Sequence, residues 1–123
     1  MISYAEYNIF CSSLLATNKV IQWGGAHVWK VGEKVFAIGG WSDEEVPYVT
    51  FKCSPHSYDI MKNQPGLRPA PYFASRGMKW IQMFSDESLS KDDLKLYLRE
   101  SHKLAALNLS KKRQKELGLN DIL

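Results

Sequence analysis

The segment Ala26-His27-Val28-Trp29-Lys30-Val31-Gly32-Glu33-Lys34-Val35-Phe36-Ala37-Ile38 decides the fold. Two runs rich in β-branched and aromatic residues flank Gly32-Glu33, and a short glycine turn between such runs is the signature of a β-hairpin. Upstream, Val20-Ile21-Gln22-Trp23 reads as extended until Gly24-Gly25 breaks it. Downstream, Gly39-Gly40 and an acidic loop with Asp43, Glu44, Glu45 and Pro47 lead to a further strand, Tyr48 to Cys53. The centre is therefore read as an antiparallel meander of about three strands.

Helix signals lie on either side of it. Ser3 and Glu6 have capping-box spacing, with Ile2 and Tyr7 placed to form a hydrophobic staple, so a helix starts near Tyr4 and ends by Thr17-Asn18. Tyr7, Phe10, Cys11 and Leu14 make its apolar stripe. Ser54-Pro55 is an N-cap followed by a proline at the first helical position, opening a short helix that Asn63-Gln64-Pro65-Gly66 stops. Pro69 and Pro71 forbid a regular helix over residues 67 to 72. Residues 72 to 75 read as a short edge strand and 78 to 84 as a clearer one, after which Ser90 with Asp93 starts the longest helix, to about Leu109. Lys95, Arg99 and Lys103 recur every four residues on its outer face. From about residue 110 a basic polar tail follows.

With 123 residues and 45% hydrophobic content, residues 1 to 123 suffice for one domain with one core. No apolar run approaches about 20 residues, which excludes a helical membrane span. The N-terminus lacks a basic region followed by an apolar one, so a cytoplasmic protein is expected. Cys11 and Cys53 are read as buried thiols rather than a disulfide. Cys53 and His56 supply two metal ligands where a closed zinc site needs four, so no metal is expected. His27, His56 and His102 lie in no nucleophile-base motif, and Gly24-Gly25 and Gly39-Gly40 match neither a P-loop nor a dinucleotide fingerprint. The expectation is a binding module without cofactor, not an enzyme.

Net charge is only +3, but it is unevenly spread. Residues 59 to 84 carry Lys62, Arg68, Arg76 and Lys79 against Asp59 alone. A basic face of this kind attracts phosphate. Arg68, held by Pro69 and Pro71, and Arg76 and Lys79, with Trp80 anchoring the strand behind Lys79, are the first candidates for contact. Trp23, Trp29, Trp41 and Trp80, with Tyr72 and Phe73, could stack bases as aromatic platforms do in single-strand binders. Most are read as packing residues, Trp29 and Trp80 in strands above all, whereas Trp41 follows two glycines in a loop and is the better candidate for a ligand.

Several blocks, in this order, resemble the MmcQ/YjbR family of small bacterial proteins. Residues Lys30 to Ala37 resemble its KVGGKxFA hairpin, Val49 to Pro55 its strand ending in a lysine and a proline, and Pro65 to Tyr72 its PGxxPAPY segment. Lys79-Trp80 stands where many members have His-Trp, and Ser110 where proline is common. The resemblance implies an α+β two-layer sandwich in the order α-β-β-β-α-β-β-α, with an antiparallel sheet covered by helices. Its members are commonly labelled DNA-binding through a pair of β wings. Carried onto this chain, that points to Lys30 and Lys34 beside the Gly32-Glu33 turn and to the residues around Arg68, Arg76 and Lys79.

The expected function is DNA binding, mainly by phosphate contacts from a basic face over residues 62 to 79, with Lys95, Arg99 and Lys103 adding contacts. Two alternatives stay open: a protein-interaction module capturing a partner at a sheet edge or cleft, and a small-molecule site between helix and sheet. No membrane partner is expected, and the sequence assigns no oligomeric state.

Overall fold

The computed structural model describes all of residues 1–123. It begins with α1 (Tyr4–Ser13), whose N-cap Ser3 accepts from the Glu6 amide while the Glu6 side chain accepts from the Ser3 amide. The bond from the Ser3 amide, with the Lys91 ammonium beside it, holds the Glu6 carboxyl down at about 2. Ile2 and Tyr7 are both buried, as the staple spacing requires. The helix stops at Ser13, and Thr17 already opens a strand.

Four strands follow: β1 (Thr17–Gln22), β2 (Ala26–Val31), β3 (Lys34–Gly40) and β4 (Tyr48–Lys52). The α+β class stands, but the meander has one strand more than the expected order α-β-β-β-α-β-β-α allows. The extra strand begins on Thr17-Asn18-Lys19, polar residues that read as a helix terminus. On an edge they need to bury only one face, and Asn18, Lys19 and Ile21 are exposed. After α2 (Pro55–Met61), capped by Ser54 with Pro55 in its first turn, come β5 (Leu67–Pro69) and β6 (Trp80–Met83). The short edge strand therefore lies at 67 to 69, not at 72 to 75. Residues 74 to 76 form a single 3₁₀ turn instead. Pro69 is tolerated because β5 is an outermost strand.

All pairings are antiparallel, in the spatial order β1-β2-β3-β4-β6-β5. Direct cross-strand partners share a face. One face carries Trp29, Ala37, Phe51 and Ile81 in a row and is covered by α1 and by α3 (Lys91–Ala106), with Leu94, Leu98 and Ala105 turned onto it. Phe36 is the extra residue where the β2-β3 register shifts. There the buried Ser101 hydroxyl of α3 donates to the Phe36 carbonyl at 2.6 Å and accepts from the Lys52 amide at 2.9 Å, tying helix to sheet. Gly39 passes under the Tyr7 ring, where a β-carbon would stand 2.5 Å from Cε2.

The basic segment after residue 110 is not a free tail. It forms α4 (Lys111–Glu116), capped by Ser110, and Arg113 reaches Glu33 at the β2-β3 turn at 2.6 Å. Leu119 is buried beyond it. No helix is long and apolar enough to cross a membrane.

Candidate functional site

The other face of the sheet carries no helix of its own. Its central cross-strand row runs Val20, Val28, Ile38, Thr50, Gln82, Arg68 through the paired registers. The left half is apolar: Ala26, Val28 and Ile38 are buried as a small cluster, with Phe73 packed on it. The right half is polar. Gln82 is buried, and its Oε1 accepts from Arg68 Nε at 2.8 Å. Thr50, next to Gln82 in the row, is wholly buried with no partner for its hydroxyl. An unmade buried hydrogen bond costs about 1–3 kcal/mol.

A cleft of about 720 Å³ opens on this face. Its aromatic walls are Trp23, Trp41, Tyr72 and Phe73, and its cations are Arg68 and Arg76. Pro71 and Gln82 complete it, so no carboxylate lines it. Trp23 comes from the β1-β2 turn, Trp41 from the end of β3, and the rest from β5, β6 and the chain between them. Trp23 and Tyr72 are 51% and 66% exposed, an unusual state for residues that normally dominate packing.

The backbone under these rings is strained. The chain has four non-glycine residues at positive φ, and three of them are Trp23 (53°), Trp41 (65°) and Tyr72 (75°). The left-handed region costs an L-residue roughly 1–2 kcal/mol. The strain is held locally: Trp41 Nε1 donates to the Trp23 carbonyl at 3.0 Å, and the Ser75 hydroxyl donates to the Tyr72 carbonyl at 2.8 Å. Such residues concentrate at ligand sites, because binding can use a geometry that folding alone would relax.

Arg68 is fixed as well as exposed. Besides its bond to Gln82, its guanidinium lies 4.6 Å from the Phe84 ring and 5.9 Å from the Tyr48 ring. Arg76 lies 4.7 Å from the Tyr72 ring. Neither arginine forms an ion pair.

The cations singled out from sequence do not form one surface. Arg68 and Arg76 share the cleft. Lys79 and Lys62 instead converge on Tyr58 of α2, at 4.7 Å and 5.7 Å from its ring, and Lys62 also pairs with Asp59. The face expected over residues 62 to 79 is thus divided in two. Lys30 alternates with Val28 and so faces the cleft side, half-buried. Lys34 borders a second hollow of about 280 Å³ that shares Trp23 and Phe73 with the cleft. Lys52, not singled out before, lies beside it. Lys95, Arg99 and Lys103 lie on α3, across the sheet from the cleft, and Arg99 covers Phe10 at 5.6 Å.

Trp29 and Trp80 are packing residues, Trp80 stacking on Phe73 at 4.9 Å. Gln82 and Thr50 gave no signal in sequence, since a polar residue within a strand reads as a solvent-facing one. Trp23 read as the end of a strand.

The imidazoles and thiols are engaged elsewhere. Asn8 Nδ2 lies 3.0 Å from His27 Nδ1 while Asn8 Oδ1 accepts from Trp29 Nε1, and burial with the nearby Lys19 charge lowers the His27 pKa. His102 Nε2 reaches the Leu15 carbonyl at 2.7 Å, and burial lowers its pKa despite that bond. Burial pushes the Cys53 thiol up to about 11, and Cys11 higher still. No three His, Cys, Asp or Glu side chains gather as a metal site would require.

A protein-family profile described as YjbR matches residues 12–104 of the chain. No curated protein gives a significant match. Among solved structures, the crystal structure of Deinococcus radiodurans protein DR2400, assigned to the domain family DUF419, is similar over 100% of this chain and 93% of its own. The TM-score is 0.84 at 20% sequence identity, a likeness of fold.

Proposed function

The chain belongs to the YjbR family, and from that premise and the geometry of the helix-free face we propose that it binds nucleic acid as an unstacked single strand. The observation that carries this reading is the sharing of one carboxylate-free cleft by two unpaired arginines and four aromatic rings. Bases stack on exposed aromatic rings for about 1–3 kcal/mol each, and arginines beside them neutralise the phosphates. A duplex keeps its bases stacked on one another and offers none to Trp23 or Tyr72. The cleft volume is within the range that holds one nucleotide-sized group. Lys30, Lys34 and Lys52 on the same side extend the positive surface along a strand.

The protein on this reading is a binding module without catalysis. Supporting that, Ser101 is occupied between two backbone groups and both thiols are held protonated by burial. The cytoplasm is where such a ligand would be met.

Fluorescence anisotropy with short single strands, and with the same sequences as duplexes, tests the proposal from low to physiological salt. The single strand should bind more tightly and quench tryptophan emission. The logarithm of its affinity should fall with that of salt by about 0.7 per phosphate contacted. Equal affinity for the duplex, or no binding at low salt, overturns the reading.

A further inference from the structure

The polar groups that face the cleft are nearly all of one kind. Arginine can only donate, so the amide oxygen of Gln82 must be the atom that meets Arg68 Nε, and the amide NH2 is left over. The terminal nitrogens of Arg68, the Arg76 guanidinium, Gln82 Nε2 and the Trp23 indole N–H have no protein partner, and all are donors. The remaining acceptors among the side chains there are the Tyr72 hydroxyl and the second lone pair of Gln82 Oε1, fewer than the free donors. Beside Gln82 the Thr50 hydroxyl is buried and unpartnered. A ligand that satisfies this lining presents acceptors next to one another on a flat ring.

On their major-groove edges, guanine alone among the bases offers two neighbouring acceptors, O6 and N7. Adenine puts its amino group beside N7 and thymine offers only one acceptor there; cytosine offers an amino group on that edge, and pairs two acceptors, N3 and O2, only on its Watson–Crick edge, with the amino group beside them. An arginine fork that meets O6 and N7 together is the commonest specific contact to a base. Here the fork is held in advance by Gln82, Phe84 and Tyr48, so little of its freedom is lost on binding.

Building on the nucleic-acid reading above, we propose that the cleft is a guanine-selective pocket. Arg68 reads O6 and N7, Gln82 Nε2 donates to O6, Trp23 and Tyr72 supply the stacking surface, and Arg76 meets the phosphate. An adenine in the same place would set its amino group against donors that have nowhere else to turn.

The test is a competition series in which a labelled oligothymidine carries one central guanine, adenine, cytosine or 7-deazaguanine. Guanosine monophosphate serves as a separate competitor, to tell a base within a strand from a free nucleotide. The guanine strand should bind roughly tenfold or more tightly than the adenine and cytosine strands, the discrimination expected of a bidentate pair. The preference should collapse with 7-deazaguanine, which lacks N7, and in Arg68→Lys, which keeps the charge and loses the fork. Equal affinity for all four strands overturns guanine selection while leaving nucleic-acid binding in place. Binding of guanosine monophosphate without any oligonucleotide supports the pocket and overturns the strand reading; binding of neither ligand at low salt overturns both. Thermal melting confirms that Arg68→Lys is folded, as its exposure predicts.

Discussion

On the helix-covered side of the sheet, Val49, Phe51 and Ile81 are fully enclosed beneath α1 and α3, and the polar atoms that enter that layer have partners. The Ser101 hydroxyl joins two strands, the Tyr7 hydroxyl donates to the His27 carbonyl at 2.9 Å, and Asn8 serves both His27 and Trp29. On the other side only three residues form a buried apolar cluster, a threonine hydroxyl has no partner, and three aromatic residues stand on left-handed backbone. One sheet thus separates a face arranged for stability from a face that retains unspent interactions. Unspent interactions in a folded protein are available to a ligand, which makes the cleft side the candidate binding face.

The comparison breaks most visibly if the two faces respond alike to mutation. Leu98→Ala removes a fully buried side chain from the closed layer. Cavity formation there should cost about 2–5 kcal/mol, read as a lower midpoint in urea unfolding, with nucleic-acid affinity unchanged wherever the protein remains folded. The open face should show the reverse. Arg68→Ala with Arg76→Ala should cost only about 1 kcal/mol, since both side chains are exposed and free of ion pairs and the one bond lost is that from Arg68 to the buried Gln82 amide oxygen. Single-strand affinity should fall by at least about tenfold in anisotropy titrations, with a shallower salt dependence. Loss of affinity in Leu98→Ala equal to that in the arginine pair would remove the distinction between the faces.

Much of the closed face was legible in the sequence. Ser3 with Glu6, Ser54 with Pro55 and Ser90 with Asp93 announce helix starts by local chemistry alone, and all three caps are formed. The β2-β3 hairpin follows from glycine between two apolar runs. The two edges were legible only in part. Val20 to Gln22 reads as extended, but Thr17 to Lys19, in a strand half of which faces water, reads as a helix terminus; at Leu67–Pro69 the prolines exclude a helix, and a strand becomes readable only once the position is known to be outermost. The cleft was legible only in pieces. Arg68, Arg76 and Trp41 stand out in the sequence, and Trp23 and Tyr72 only as members of a larger aromatic set most of which is expected to pack. Gln82 joins them from a strand without any signal, and residue type does not encode a positive φ at tryptophan or tyrosine. Lys79 lies three residues from Arg76 in sequence and faces Tyr58 of α2 instead.

Thr50 sharpens the contrast from within the open face. Thr50→Val replaces a buried hydroxyl that has no partner with a methyl of nearly the same size. On the closed face, where hydroxyls are bonded, such a change should destabilise, as Ser101→Ala would by stranding the Lys52 amide and weakening the α3 attachment. At Thr50 it should stabilise by about 1 kcal/mol, because the desolvation penalty disappears and no hydrogen bond is lost. A lower urea midpoint for Thr50→Val would mean that the hydroxyl is satisfied in solution.

The smallest effect is expected at Tyr72, and it separates strain from packing. Its ring is mostly exposed, so truncation removes little buried area, but its backbone stands at φ 75°, where only glycine is at ease. Tyr72→Gly releases strain in the folded state while adding freedom to the unfolded chain, and the two contributions oppose each other at about 1 kcal/mol each. The midpoint of unfolding should therefore move by no more than a few tenths of a kcal/mol. Tyr72→Ala keeps the strain, adds no such freedom and loses only a mostly exposed ring, so it should match the glycine variant to within a few tenths of a kcal/mol. Both variants lose the stacking surface and should bind single strands equally weakly. A glycine variant less stable than the alanine variant by about 1 kcal/mol, the full cost of the added chain freedom with no strain released, would show that the left-handed backbone at Tyr72 is absent in solution, and the argument from strain to function at this cleft would lose its support.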